Sequence, residues 1–419
     1  MRYLAPDFLA DSGLEHFDAF RSQFVEALPK LEPTDSGVGL KMVTRLGREW
    51  SNMRALMEGY YTVADVVTND DIKRWYAEDN PGKEFPLPKV KGGDRRTVAV
   101  QPTPTQLSIL MDSIVPGFEG LPNIQDIKVR NATRLRLMDQ ARKLSLHAKA
   151  VSPEMNDEPG GKLDTAIDEI STIYHKWTAD KGTQLVFLDR GVPKSKQDAT
   201  IIKEYDALKE REKAAIAAGD EEAFRDVADL LEKFDPNEME ELRAAQKGGW
   251  NAYQHIKDGL IAKGIPANEI AFIQSFNNDA DKRQLFDAVK DGSVRVLIGS
   301  TPRMGAGTNV QDRLVALHHI DATWKPSDIE QREGRIIRQG NLFATPPTEN
   351  DPNPLYRPDF EVEILAYVTE RTVDAKLWDL NSMKLRMVNG IRYYDGQFEM
   401  DFEDCLLYTS DAADDLLCV

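Results

Sequence analysis

The stretch from Val294 to Asn341 constrains the fold of this chain more than any other. It begins with a short apolar, β-branched run, breaks into a glycine-containing loop, and crosses a second apolar segment before a cluster of arginines. The loop contains Gly305, Gly307 and Asn309. The arginines are Arg332, Arg335 and Arg338. A buried strand followed by a glycine loop lets backbone approach a phosphate, and a helix would present Arg335 and Arg338 on one face.

Strand and helix patterns alternate through the second half of the chain. Apolar runs predict strands at 183–189, 270–273, 294–298, 314–320 and 362–368. Helical patterns stand between them, so we predict an α/β fold with a parallel, RecA-like sheet and helices on both faces. Ligands of such sheets lie at the carboxyl ends of the strands, which is where the loop after Ile298 falls.

Composition changes divide the first half of the chain. Trp50, Met53, Met57 and Tyr60 are spaced as on one buried helix face, so residues 1–80 are predicted to be a mainly helical accessory or connecting region. The prolines and glycines of 81–104 predict a linker or an extended crossing segment. Residues 105–159 predict a basic helical connector. A solvated face is favoured over a nucleic-acid contact there, because no aromatic residues interleave with the basic ones.

The predicted lobe covers residues 160–390 and carries an insertion at 196–247. That insertion is charged and alanine-rich, and Gly219 with Asp220 interrupts it as at the bend of a helical hairpin. It is either a solvated hairpin or a docking arm for a partner. Residues 404–419 resemble translated sequencing-adapter read-through, so we expect an artefactual tail on a fragment of a longer protein.

Bulk composition excludes several classes of function. A net charge of −17 and a pI near 5.0 argue against general affinity for nucleic acid, although a local basic groove remains compatible. Cys405 and Cys418 are the only cysteines, which indicates a reducing compartment. Without a membrane-spanning apolar run or a signal-peptide pattern, the protein is expected to be cytoplasmic.

Three groups of residues at fixed spacing carry a family resemblance. The pattern S-T-x-x-x-G-x-G-x-N is matched by Ser300, Thr301, Gly305, Gly307 and Asn309. The patterns D-x-x-W-x-P and Q-x-x-x-R-x-x-R-x-G are matched by Asp321, Trp324, Pro326, Gln331, Arg335, Arg338 and Gly340. Over about residues 160–385 the chain resembles the C-terminal RecA-like lobe of superfamily-2 helicases and translocases of the Swi/Snf branch. The sequence of these motifs is most similar to that of large helicase-related proteins of phages and plasmids, which are often joined to adenine-specific DNA methylases.

The resemblance implies roles for these residues. In such enzymes ATP with Mg²⁺ lies between two lobes, and the second lobe supplies arginine fingers. The implied catalytic residues are Arg335 and Arg338. The implied nucleotide-binding residues are Gln331, Gly305, Gly307 and Asn309. The implied contacts to the nucleic-acid backbone are Ser300, Thr301 and Arg303.

Other residues of this stretch are better explained by structure than by function. Arg332 beside Glu333 is predicted to be a surface ion pair. His318 and His319 are predicted to be core or strand-end residues rather than metal ligands, since no cysteine or carboxylate cluster joins them.

The sequence holds no G-x-x-x-x-G-K-[ST] motif and no DEAD- or DEAH-like tetrad. We therefore predict the second motor lobe of an ATP-dependent DNA helicase or translocase from a bacterial host, phage or plasmid, inactive without an N-terminal lobe that holds most of the ATP and Mg²⁺. The alternative is a non-catalytic DNA-binding or scaffolding module with a helicase-like fold. The sequence does not decide whether the nucleic acid is DNA or RNA, which strand polarity applies, or whether the motor unwinds or translocates. It also does not decide whether a methylase is attached.

Overall fold

A computed structural model describes most of the chain in ten segments. They are residues 6–34, 40–50, 53–155, 158–191, 196–218, 220–231, 250–276, 278–305, 309–348 and 352–393, with the single residues 234, 239 and 350. The chain divides into two compact units, of which the first comprises 1–85, 324–327 and 371–419 and the second 86–323 and 328–370. None of the helices described in these segments is both long and apolar enough to cross a bilayer.

The first part of the chain contains eight helices and four strands among the described residues. They are α1 (Pro6–Asp11), α2 (Phe17–Phe24), β1 (Val25–Pro33), β2 (Leu40–Trp50), α3 (Met53–Tyr60), α4 (Asn69–Asp79), β3 (Lys89–Val90), β4 (Arg96–Val100), α5 (Pro104–Ile109), α6 (Val115–Gly120), α7 (Ile127–Leu146) and α8 (Lys162–Lys176).

The remaining described residues form five strands and seven helices. They are β5 (Thr183–Phe187), α9 (Lys196–Ala218), α10 (Glu221–Leu231), α11 (Ala252–Ala262), β6 (Ile270–Phe272), α12 (Asp279–Lys290), β7 (Val296–Gly299), α13 (Thr301–Gly305), β8 (Leu314–His319), α14 (Pro326–Glu333), β9 (Glu361–Thr369) and α15 (Val373–Arg392).

The first unit contains a β-hairpin that the helical interpretation of residues 1–80 did not include. Strands β1 and β2 pair antiparallel, so Trp50 ends a strand and does not share a helix face with Met57. The spacing of the apolar residues fits either period over so short a run, and only cross-strand pairing decides between them. Helices α1, α2 and α3 supply a small core that includes Phe24 and Met57, each 1 % exposed.

Of the two alternatives predicted for 81–104, the structure shows the extended segment, and residues 86–104 belong to the second unit. Strands β3 and β4 both pair parallel with β9, at Glu361–Val362 and at Leu365–Thr369 respectively. Gly92 and Gly93, with φ of 76° and 85°, form the turn between them. Glycine suits these positions because a Cβ disfavours positive φ. The prolines that suggested a linker lie outside both strands.

The second unit is built on a seven-stranded sheet in which every pairing is parallel. Its order is β3-β9-β8-β5-β7-β6, and β4 also pairs with β9. Parallel crossovers are right-handed, so connections that run in opposite directions along the sheet place their helices on opposite faces. Helices α8 and α11 therefore share one face, and α12, α13 and α14 share the other.

Close packing confirms that α8 and α11 are neighbours. A Cβ added to Gly259 of α11 would lie 2.5 Å from the end of the Ile167 side chain of α8, so any larger residue would force that side chain to shift. The apolar stripe of α8, which includes Leu163 and Ile170, is buried. Strands β5, β7 and β8 are buried along their whole lengths, as expected of strands covered on both faces. Each large aliphatic side chain buried here contributes roughly 1.5–3 kcal/mol of transfer free energy.

The fold predicted from sequence, an α/β parallel sheet with helices on both faces, is confirmed. The helical connector is also helical in the structure, from α5 to α7, and the predicted hairpin insertion consists of the packed helices α9 and α10. Most of residues 232–249 and the tail at 404–419 lie outside the described residues.

Candidate functional site

Polar side chains gather at the carboxyl edge of the sheet. Asp189 follows β5, Ser300 and Thr301 follow β7, and Asp321 follows β8. Strands β7, β5 and β8 are adjacent and parallel, so their carboxyl ends bring these side chains together. The continuous apolar runs place the strands, and the first polar residue after each run marks the edge.

One arginine binds all of these segments together. The Arg332 side chain is 0 % exposed. Its Nε donates to Thr301 Oγ1 at 2.8 Å, its Nη2 to Asp189 Oδ2 at 2.7 Å, and its Nη1 to the Asp321 carbonyl at 3.0 Å. Asp321 Oδ1 lies 3.4 Å from Nη2. We call Arg332, Asp189, Thr301 and Asp321 the arginine hub.

The hub carboxylates also accept hydrogen bonds from backbone amides of the same loops. Asp189 Oδ1 accepts the Thr301 amide at 2.6 Å and the Thr301 hydroxyl at 2.9 Å. Asp321 Oδ2 accepts the amides of Asp189 and Arg190 at 2.9 and 3.1 Å. The loops after β5, β7 and β8 are therefore linked by charge-assisted hydrogen bonds, which are stronger than neutral ones.

The prediction that Arg332 and Glu333 form a surface pair is wrong. Arg332 is buried in the hub, and Glu333 points elsewhere, to Arg95 and His319. Neighbours in sequence on a helix point about 100° apart, so an adjacent pair of opposite charges does not imply mutual contact.

The pKa values of the two hub carboxylates shift in opposite directions. Burial opposes ionisation of Asp189, but the Arg332 charge and the Thr301 hydrogen bonds outweigh it and lower the pKa. Burial and the nearby Asp189 charge raise the pKa of Asp321, although Arg332, Arg142 and Lys162 partly offset them. One guanidinium thus sits between two carboxylates, and an arrangement of this kind is stable only while it is complete.

The residues predicted to contact nucleic acid, and the loop residues predicted to bind nucleotide, occupy different environments. Ser300 and Thr301 are 6 % and 7 % exposed, and Thr301 begins α13, where a loop was predicted. Arg303 is half-buried and Asn309 is exposed. Gly305 ends α13, whereas Gly307 lies outside the described residues.

The predicted arginine helix ends earlier than expected. Helix α14 stops at Glu333, and Arg335 and Arg338 lie in the following turn, residues 334–338, which we call the arginine turn. Its backbone is tied to the helix end, because Arg335 donates to the Arg332 carbonyl and Ile336 to the Glu333 carbonyl, both at 3.0 Å. Gly334 weakens the helix at this point. The shared helix face predicted for the two arginines is therefore wrong.

The arginine turn nevertheless brings its two guanidinium groups close enough to interact. Arg338 is exposed and Arg335 is half-buried. Burial and the positive charge of Arg338 lower the pKa of Arg335. Gln331, predicted to bind nucleotide, is exposed one residue before Arg332. Two cations held near each other beside an exposed amide suit a multiply charged anion.

The core interpretation of the two histidines is confirmed. His318 and His319 are 0 % exposed. His318 Nδ1 lies 2.8 Å from the Tyr367 hydroxyl, and its Nε2 lies 2.9 Å from Gln184 Oε1. Burial lowers the pKa of His318 to about 3 and that of His319 to about 4, so both rings are neutral near neutral pH.

These neutral histidines make the lobe sensitive to acid. The unfolded chain takes up protons near the ordinary pKa of 6.5, which the folded lobe does only near pH 3–4. The stabilisation is complete above pH 6.5 and is lost as pH falls; at pH 5 each histidine should lower the free energy of unfolding by about 2 kcal/mol. Thermal midpoints between pH 8 and pH 5 measure the loss.

A variant separates this effect from other titrations. His318→Gln keeps hydrogen-bonding groups but does not titrate, so its midpoint should fall less steeply with acid than that of the unmodified protein. His175→Gln, at an exposed position, is the matched control and should leave the slope unchanged. Burial raises the pKa of Asp379 in the first unit to about 7, which acts in the opposite direction, so the difference between variants is the readout. Equal slopes for His318→Gln and the unmodified protein would contradict the assignment.

Sequence reasoning missed the residues that organise this site. Asp189 was not singled out, and neither was Arg95, which contacts Glu333. Arg332 was named, but it was assigned to a surface pair. One signal was present: a fully apolar strand that ends in an aspartate requires a nearby cation. The identity of that cation depends on contacts across 143 residues of chain between Asp189 and Arg332.

Comparisons with known proteins give likenesses of structure alone. No family model matches the chain, and no curated protein matches it. The chain is similar to the C-terminal part of the Fun30 ATPase domain, with 13 % identity, a TM-score of 0.41, and coverage of 79 % of this chain and 99 % of that one. It is similar to the Sulfolobus solfataricus SWI2/SNF2 ATPase C-terminal domain, with 12 % identity, a TM-score of 0.40, and coverage of 75 % and 96 %.

A third solved structure is the Sulfolobus solfataricus SWI2/SNF2 ATPase core in complex with double-stranded DNA. Its identity to this chain is 12 %, with a TM-score of 0.38 and coverage of 85 % of this chain and 56 % of that one. Likenesses at this level describe a similar chain path and assign no ligand to this protein.

Proposed function

We propose that this chain is the second motor lobe of an ATP-dependent DNA helicase or translocase. It would hydrolyse ATP only together with a first lobe, which supplies the phosphate loop and most of the Mg²⁺ site. The observation that carries the proposal is the arginine hub, because Arg332 joins the start of α13 at Thr301 to the arginine turn. These are the segments whose motifs resemble the nucleic-acid loop and the arginine fingers of such motors.

The hub can couple the two segments mechanically. Thr301 and Arg332 share a hydrogen bond inside a buried network, so displacement of α13 must either move the arginine turn or break charge-assisted bonds. Buried networks of this type have discrete arrangements and do not deform gradually. In a motor, this coupling would let nucleic-acid contacts influence the position of the catalytic arginines.

The arginine turn fits the phosphates of a nucleotide. Arg335 and Arg338 present two cations on one short turn, where burial and, second to it, the Arg338 charge lower the pKa of Arg335. Guanidinium groups stay charged and bind phosphate oxygens in pairs. When bound, ATP with Mg²⁺ supplies the phosphoryl group; Arg335 and Arg338 would stabilise the charge that develops on it, and Gln331 would fix the nucleotide against the lobe.

The nucleic-acid contacts of the proposal fall mainly on Arg303, which is half-buried in α13. The Thr301 hydroxyl already donates to Asp189 and accepts from Arg332, so Thr301 serves as a coupling residue. Ser300 is buried beside Gln274, 3.5 Å away. Contacts of this kind address the phosphate backbone, which carries no sequence information. Two further parts of the proposal rest on the family resemblance: DNA as the partner, and a phage or plasmid origin with a methylase.

Complementation tests the function. The purified 419-residue chain should show no DNA-stimulated ATP hydrolysis by itself, and co-expression with a first lobe that carries a phosphate-loop motif should restore it. Phosphate release measured with and without duplex DNA is the readout. Robust DNA-stimulated hydrolysis by the chain alone would rule out a divided site.

The second candidate, a non-catalytic DNA-binding or scaffolding module, gives a different result in the same experiment. No first lobe would then restore hydrolysis, while partners could still dock on the hairpin of α9 and α10. The arginine turn favours the catalytic proposal, because half-buried Arg335 and exposed Arg338 are two guanidinium groups on one turn, and guanidinium groups suit phosphate.

A further inference from the structure

The carboxylate of Glu333 is held from two sides at the end of α14. Arg95 Nη1 donates to Glu333 Oε1 at 2.8 Å, and His319 Nε2 lies 3.3 Å from the same oxygen. The Arg95 and Glu333 side chains are only 13 % and 17 % exposed. An ion pair shielded to this degree contributes more than a surface pair, and loss of one partner leaves the other charge poorly solvated.

The contacts of His319 indicate which of its ring nitrogens carries the proton. Arg332 Nη1 lies 3.4 Å from His319 Nδ1, and because arginine can only donate, Nδ1 must be the acceptor. The neutral ring then carries its proton on Nε2, where it faces Glu333. The Glu333 carboxylate thus accepts a hydrogen bond from Arg95, while the His319 ring lies 3.3 Å away on the side of the arginine hub.

Glu333 is also the residue from which the arginine turn starts. Its carbonyl accepts the amides of Ile336 and Ile337, both at 3.0 Å. Ile336 is 0 % exposed and anchors the turn in the core. Rotation or displacement of Glu333 would therefore move Arg335 and Arg338 with it.

Arg95 is itself well fixed. It ends the glycine turn between β3 and β4, and its amide donates to Asp94 Oδ1 at 2.7 Å. The next residue, Arg96, begins the strand that pairs with β9. A side chain on such a support can impose a position on its partner at low conformational cost.

We propose that Arg95 is a positioning residue for Arg335 and Arg338: through Glu333 it fixes the arginine turn in the geometry that the nucleotide requires. The inference rests on the proposed function for its catalytic meaning. The segment 81–104, predicted to be a linker or an extended crossing segment, would thereby help to position the arginine turn.

Hydrogen exchange of the arginine turn tests the inference without any catalytic assay. In the full chain, Arg95→Gln should speed exchange in peptides that cover residues 334–338 by about tenfold, the change that 1.4 kcal/mol of local opening free energy produces. Peptides from β5 and β7 should keep their rates. Arg95→Lys, which retains the charge, should give a smaller increase.

Arg96→Gln is the matched control. It removes an ion pair of the same length, 2.8 Å, from the adjacent residue, but the partner there is Glu169 on α8. Exchange of 334–338 should stay unchanged in this variant. The inference is overturned if Arg95→Gln leaves the turn unchanged, or if Arg96→Gln speeds it equally. In the event that Arg95→Gln unfolds, Arg95→Lys with the same readout decides.

Turnover with a first lobe adds the catalytic readout. Arg95→Gln should lower kcat by about tenfold with little change in KM for ATP, since a displaced arginine weakens the transition state more than the ground state. If the unmodified chain does not hydrolyse ATP even with a first lobe, the proposed function fails. The hydrogen-exchange result still decides whether Arg95 fixes the turn. Faster exchange without any change in kcat would overturn the positioning role.

Discussion

Replacing Arg338 with alanine is expected to abolish ATP turnover in the chain joined to its first lobe. An arginine that meets charge only as it develops on the transferred phosphoryl group contributes to kcat, and such arginines are worth about 10³ to 10⁵ in turnover. Arg338 is exposed at the end of the arginine turn, so its loss removes no core contact. Nucleotide binding should therefore remain largely intact.

Turnover and nucleotide affinity must be measured together for this variant. Arg338→Lys should fail to restore activity, because a point charge cannot bond two phosphate oxygens at once. Arg283→Ala is the control, since Arg283 is likewise exposed and donates only to the Asp279 carbonyl of its own helix. Turnover that survives in Arg338→Ala would remove this residue from the mechanism.

The largest expected effect on stability comes from Arg332→Met. Methionine fills a similar space, but Asp189 and Asp321 would then face each other without their shared cation. Breaking a buried charge network by removing one member costs about 3–5 kcal/mol. The free energy of unfolding from urea denaturation should fall by that amount.

Two further variants make this result specific. Arg357→Met removes a partly exposed pair with Asp180, at 3.1 Å, and should cost less than about 1 kcal/mol. Adding Asp189→Asn to Arg332→Met should recover part of the loss, because one of the two opposed charges disappears. A loss for Arg332→Met no greater than that for Arg357→Met would contradict the hub.

Sequence predicted most of the sheet because buried parallel strands leave a strong local signal. The run before Asp189 and the run before His318 are apolar at nearly every position, and both became fully buried strands. The hairpin of α9 and α10 was equally predictable from the break at Gly219 and Asp220. In each case the information lies within about ten residues of the element it describes.

The site was less predictable because its decisive contacts are long-range. Nothing near Arg332 reveals that its carboxylate partner is Asp189, and nothing near Arg95 reveals Glu333, which lies 238 residues away. The glycine that breaks α14 was visible, but periodic arginines on either side suggested a continuous helix. Propensity at Gly334 prevailed over that pattern.

The pairing of β4 with β9 has a consequence for synthesis. Gln101 and Glu370, which follow these two strands, are 269 residues apart. At 5–20 residues per second, the ribosome makes β9 about 15 to 50 s after β4. Strand β4 must wait that long for its partner strand, so the support of Arg95 forms only after the arginine turn has been made. Nascent chains shorter than this would carry both arginines without the geometry to use them.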